Sequence, residues 1–195
     1  MDSTDDILTF LLELGAAIQS RVLRAQRESG PAVWSRTVRD DGEGDTVFGL
    51  DAMVEETLIA RCMAQGAQTP LVLVAEGIEP ATGRFFGPVG SPPEWRILAD
   101  PIDGTRGLMF DKRSAWCLLA AAPDQGTGTR LSHVQASVAA ELPTTWQGAV
   151  DTLWATRGTR TQGIRRRLHD GLESELSVQP SQAADLQAIV EPPSD

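Results

Sequence analysis

Asp100 and Asp103 stand three residues apart in the stretch WRILADPIDGTRGLMF, residues 95–110. Two carboxylates held this close repel each other unless a cation lies between them. Hard oxygens at short spacing suit Mg²⁺. The carbonyl of Ile102 lies between the two acids and offers a further oxygen ligand. Gly104 and Thr105 follow. If TRGLMF opens a helical turn, their N–H groups point outward at its N-terminus, where an anion such as phosphate is held. The Thr105 hydroxyl can position a water or donate to an oxyanion. Carboxylates, metal and anion site together describe metal-assisted phosphoryl hydrolysis. The plainer alternative is a simple turn, which Asp favours and for which glycine supplies a positive φ.

The elements around this stretch must position it. WRILA reads as a strand that delivers Asp100 to a sheet edge, where Pro101 fixes φ and removes one N–H. LVLVA, residues 71–75, reads as a short strand buried on both faces, and it runs directly into Glu76-Gly77. Upstream, residues 5–29 read as a helix. Asp5 and Asp6 suit its first turn, and Ile7, Leu8, Leu11, Leu12, Leu14, Ala17, Ile18 and Val22 form a broad apolar stripe before Gly30-Pro31 ends it. A second helix is expected from Leu50 to Gln65, with Val54, Leu58, Ile59 and Cys62 inward and Gly66 as its stop. Residues 38–46 and 80–94 read as loops. Residues 114–122, 131–142 and 150–156 read as three more strands whose direct succession implies antiparallel pairing. SELSVQ reads as a last strand, SQAADLQAIV as a last helix and EPPSD as a frayed end. The expected class is α+β, an antiparallel or mixed sheet packed against two N-terminal helices.

The totals narrow the function. The chain has 195 residues and a formal net charge of −10, which argues against nucleic-acid binding. No apolar run approaches the length that crosses a bilayer. The acidic start MDSTDDILTF lacks the basic region of a signal peptide, so a cytoplasmic location is expected. Cys62 and Cys117, far apart in apolar surroundings, read as buried thiols. The five tryptophans read as core or interface residues. His133 lies in a strand pattern and His169 in a basic stretch, neither with a metal partner at useful spacing. The basic run RGTRTQGIRRR, residues 157–167, reads as a solvated turn or as an attractor of an anionic substrate or partner.

At DPIDGT, residues 100–105, the chain resembles the inositol monophosphatase-like, or fructose-1,6-bisphosphatase-like, Mg²⁺-dependent phosphatases. Three other pieces resemble that family in its own order. GDTVFGLDAMVEETLI is similar to its D-x-V-T-x-x-D-x-x-x-E segment, here Asp45, Asp51 and Glu55. LVLVAEG is similar to its strand ending in a Glu-Glu pair, and LWATRGTRTQG to its A-x-x-G-x-G-A stretch. The resemblance spans roughly residues 5–165. It implies that Glu76, Asp100 and the Ile102 carbonyl hold a first Mg²⁺, and that Asp100 and Asp103 share a second. It implies further that Thr105 and Asp45 draw a proton from the attacking water, and that the Gly104 and Thr105 amides grip the phosphate.

The chain departs from the family at several points. The acidic pair is Glu76-Gly77, leaving Glu79 either to compensate or to sit on the surface. The family threonine is Phe48. Asp51 and Glu55, four apart on one helix, read equally well as site residues or as a solvated face near Arg61. The family's second half, with its W-D-x-x-A motif, has no counterpart. The expected organisation is a metal-binding, phosphatase-like α+β domain over 1–165, then a short extension, or the start of the missing half, over 166–195. Two functions remain in view. One is a Mg²⁺-dependent phosphate monoester hydrolase, truncated and weakly active alone, acting on a small sugar, inositol or nucleotide phosphate. The other is a non-catalytic subunit that pairs with itself as a homodimer or with a separate C-terminal half. Neither calls for nucleic acid or membrane as a partner.

Overall fold

The computed structural model describes residues 4–28, 37–40, 46–78 and 82–179. Helix α1 spans Thr4–Glu28 and opens with Asp5 and Asp6 at its electropositive end. Its buried positions Ile7, Leu11, Leu14, Ile18 and Val22 recur every three or four residues and form one stripe. Strands β1 (Thr37–Asp40) and β2 (Thr46–Phe48) make a separate antiparallel pair. Helix α2, Gly49–Gly66, follows at once and buries Leu50, Val54, Leu58 and Cys62. Both helices end within a residue or so of their sequence expectation.

The remaining strands are β3 (Leu71–Ala75), β4 (Arg84–Phe86), β5 (Trp95–Asp103), β6 (Ala115–Pro123), β7 (Ala136–Leu142), β8 (Ala149–Thr156), β9 (Gln162–Arg167) and β10 (Glu173–Glu175). They form one sheet of eight strands in the order β10-β9-β8-β7-β6-β5-β3-β4. From β5 to β10 every neighbour is antiparallel, as direct succession implies. Only β3 and β5 run parallel. The five-residue helix α3, Thr105–Met109, lies between β5 and β6. The class is α+β, as expected.

Both helices pack on one face of the sheet. Alternation along the strands sends Ile97, Ala99, Cys117, Leu119, Val138 and Ala140 to that side, into one core with the helix stripes. The helix comes close because Gly15 allows it: a Cβ there would stand 3.2 Å from Ala140 Cβ. The alternate positions Leu98 and Leu118 are 43% and 38% exposed on the other face. Two shallow hollows of about 460 and 480 Å³ lie along it, and both include Leu98 and Ala120.

Several details differ from the sequence reading. β5 does not stop at Asp100 but continues to Asp103. β4 interrupts the expected loop at 80–94. β9 occupies most of the stretch read as a basic turn. Its arginines are engaged within the fold: Arg165 grips the Asp151 carboxylate with two bonds of 2.7 Å, and Arg166 donates to Gln19 of α1. β7 begins at Ala136, and residues 131–133 form a 3₁₀ turn in which His133 Nδ1 accepts from the Arg130 backbone. SELSVQ contributes to β10 only at its start. Of the tryptophans read as core or interface residues, Trp146 is 71% exposed. Trp34 and the expected helix at 181–190 lie outside the described residues. Cys62 and Cys117 are buried and unpaired, and burial pushes both thiols up to about 12. Among the described residues, no helix is long and apolar enough to cross a membrane.

Candidate active site

The parallel pair β3 and β5 sets the first two acids side by side. Ala75 is in register with Ala99, and the Glu76 backbone N–H donates to the Ala99 carbonyl at 3.4 Å. Glu76 thus leaves β3 level with Asp100 on β5. Here the strand pairing, rather than sequence distance, brings the two carboxylates together.

A bulge places the third acid. Asp100 pairs with Leu118 of β6 and Asp103 with Trp116, so three steps along β5 match two along β6. In a regular strand, residues three apart face opposite sides. The extra residue cancels that alternation and returns Asp103 to the side of Asp100. Pro101 sits in the irregularity, where its missing N–H removes no ladder bond. Ile102 turns its side chain into the core. Gly104 then adopts a left-handed φ of 95°, which an L side chain resists, and starts α3.

The Asp100 carboxyl is pushed above the ordinary aspartate range. Burial is the largest cause, and the charges of Glu76, Asp103 and Asp51 act in the same direction. A hydrogen bond from the Ile102 backbone acts against them. This is a site short of positive charge. Its donors are all hard oxygens, the kind a small divalent cation prefers, so the donor chemistry fits Mg²⁺. Even so, among the described residues no group of three or more His, Cys, Asp and Glu side chains is gathered closely enough to hold a metal ion. Glu76 and Asp103 are exposed at their positions and have side-chain rotamers to choose from.

Thr105 connects this cluster to α2. Its hydroxyl donates to the Ile102 carbonyl at 2.9 Å and stands 3.3 Å from Asp51 Oδ1. The Ile102 carbonyl, expected as a metal ligand, is thus also the hydroxyl's acceptor. Asp45, expected as the partner of Thr105, lies outside the described residues, as does Glu79. Asp51 is the residue that the sequence reading left undecided. The signal was its position six residues beyond Asp45 at the start of α2, but its i, i+4 relation to Glu55 equally suits a solvated helix face.

No protein-family model matches the chain, and no curated protein does. Solved structures do match. The fructose-1,6-bisphosphatase of Leishmania major in holo form aligns over 90% of this chain and 55% of its own, at 15% identity and a TM-score of 0.59. A Pyrococcus horikoshii protein described as similar to inositol-1 monophosphatase covers 83% of this chain and 52% of its own, at 13% identity and a TM-score of 0.57. Inositol monophosphatase II of Staphylococcus aureus covers 80% and 47%, at 12% identity and a TM-score of 0.53. The chain spans about half the length of these proteins. It carries about half of the fold shared by fructose-1,6-bisphosphatases and inositol monophosphatase-like proteins.

Proposed function

We propose that this chain is the metal-binding, N-terminal half of a Mg²⁺-dependent phosphate monoester hydrolase. The observation that carries the reading is the set of acids around Asp100, delivered by two parallel strands and a bulge, with Thr105 beside it. Glu76, Asp100 and the Ile102 carbonyl would hold one ion, and Asp103 with Asp100 a second. When bound, Mg²⁺ neutralises phosphate charge and acidifies a coordinated water. The Thr105 hydroxyl orients the attacking water, takes a proton from it and passes its own to Asp51, the ionisable one of its two acceptors. The backbone amides of Gly104 and Thr105 face the phosphate. The substrate class is a small sugar, inositol or nucleotide phosphate. Two buried, unpaired thiols suit a reducing compartment such as the cytoplasm.

The test is release of inorganic phosphate from a panel of sugar, inositol and nucleotide monophosphates, with Mg²⁺ varied. Slow release that requires Mg²⁺ and is abolished by Asp103→Asn supports the reading. No release at any Mg²⁺ concentration counts against it.

A second reading is favoured by the uncovered sheet face around Leu98 and Leu118. A contiguous apolar surface of this kind marks an interface. On that reading the chain works only when paired with itself or with a separate polypeptide that supplies the other half of the fold. A well-behaved monomer in a solution size measurement argues against it.

A further inference from the structure

Against the Gly104 turn lies a cation that the reaction scheme above does not use. Arg113 belongs to the loop between α3 and β6, and this loop folds back onto α3. The backbone N–H groups of Lys112 and Arg113 both point at the Gly107 carbonyl, at 3.0 and 3.4 Å. The fold-back turns on Asp111, whose φ of 54° is left-handed and strained for a non-glycine residue. Tertiary bonds hold it there. The Asp111 carboxylate accepts from the Thr145 N–H at 2.8 Å and from the Thr145 hydroxyl, and its carbonyl accepts from Trp146 Nε1 at 3.1 Å.

The loop lays the Arg113 arm along α3. A Cβ on Gly107 would stand 2.6 Å from Arg113 Cγ and 2.7 Å from Nε, so only glycine leaves room for the arm. Further along, a Cβ on Gly104 would stand 3.9 Å from Nη2. The arm therefore runs from Gly107 back to Gly104, and the guanidinium ends beside the turn that carries Asp103 and Thr105. Among the described residues its side chain makes no hydrogen bond and no ion pair. The neighbouring cation Lys112 is otherwise placed, over the Phe110 ring at 5.6 Å.

A guanidinium without an ion pair among the described residues, beside the turn that carries Asp103 and Thr105, is set up to meet an anion that arrives from outside. Its planar fork matches two phosphate oxygens at once. We propose that Arg113 binds the phosphate group of the substrate, and that Gly107 is glycine to let its arm lie flat against α3. This rests on the reading of Glu76, Asp100 and Asp103 as a metal centre.

The test is calorimetric titration with inorganic phosphate, with and without Mg²⁺, alongside a separate Mg²⁺ titration. Arg113→Ala should weaken phosphate binding by about tenfold or more while Mg²⁺ affinity and melting temperature stay close to wild type. Arg113→Lys should recover part of the loss, because it restores the charge without the fork. Gly107→Ala should reproduce most of the Arg113→Ala effect by displacing the arm. If wild type binds Mg²⁺ but phosphate binds equally well to Arg113→Ala, or does not bind to either, the role of Arg113 is wrong and the metal reading survives. If wild type binds no Mg²⁺, the metal reading fails. Phosphate binding to the metal-free chain, lost or kept in Arg113→Ala, then still decides the role of Arg113.

Discussion

Thr105 Oγ1 stands 3.3 Å from Asp51 Oδ1, across 54 residues of chain. The same hydroxyl reaches the Ile102 carbonyl at 2.9 Å. One proton thus has two acceptors, one neutral and one anionic. The start of α2 is thereby tied to the bulged end of β5, and the hydroxyl has a carboxyl group beside it.

If Thr105 and Asp51 act as one unit in the proposed hydrolysis, their substitutions should not add. Asp51→Asn and Thr105→Val are each expected to lower phosphate release by about 10²-fold, within the range for positioned proton transfer. The double variant should be little worse than either single one. Rates that multiply in the double variant would separate the two residues.

Asp100 carries a cost in the metal-free protein. Its carboxyl holds a proton more tightly when folded than when unfolded, so the ionised group opposes folding at neutral pH. That opposition is relieved as pH falls through the raised value. Asp100→Asn should therefore raise the neutral-pH melting temperature of the metal-free chain by up to about 2–4 °C, the response of a chain this size to about 1 kcal/mol. The gain should shrink toward acid pH. A lower melting temperature at neutral pH would mean that the carboxylate is stabilised by a contact the fold provides.

Gly104 is required by its backbone rather than by crowding. Its φ is 95°, and a Cβ there meets nothing nearer than 3.7 Å. Gly104→Ala should cost about 1–2 kcal/mol through conformation alone. Urea unfolding would report this as a lower midpoint with an unchanged slope.

Much of this architecture is legible in the sequence. The stripes of α1 and α2 follow a 3.6-residue period, and β3, β6, β7 and β8 are short apolar runs between glycine- and proline-bearing turns. DPIDGT points to a metal and phosphate site, with a simple turn as the alternative, because two acids, a proline and a glycine fall within six residues. The strands at or next to the sheet's ends were harder to see. β4 has three residues with only Phe86 buried, too short for alternation to show. β9 reads QGIRRR, and its arginines look solvated until Asp151 and Gln19 are brought beside them from β8 and α1. Asp51 was ambiguous for the same reason: its partner is set by tertiary packing, and no spacing rule reaches 54 residues.

The open sheet face makes its own prediction. Leu98 and Leu118 are each partly exposed on the face away from the helices. Replacing both with Ser should leave the melting temperature nearly unchanged while reducing dye binding and any self-association seen by light scattering. A large loss of stability would mean that these side chains pack within the chain itself.

The central claim is that Glu76, Asp100 and Asp103 close on a divalent ion. Calorimetric titration of the chain with Mn²⁺ tests it most directly, with Asp100→Asn as the control. Saturable binding in the wild type, weakened by about tenfold or more in Asp100→Asn, is the expected result. Absence of binding at millimolar Mn²⁺, or equal binding by both proteins, would contradict it.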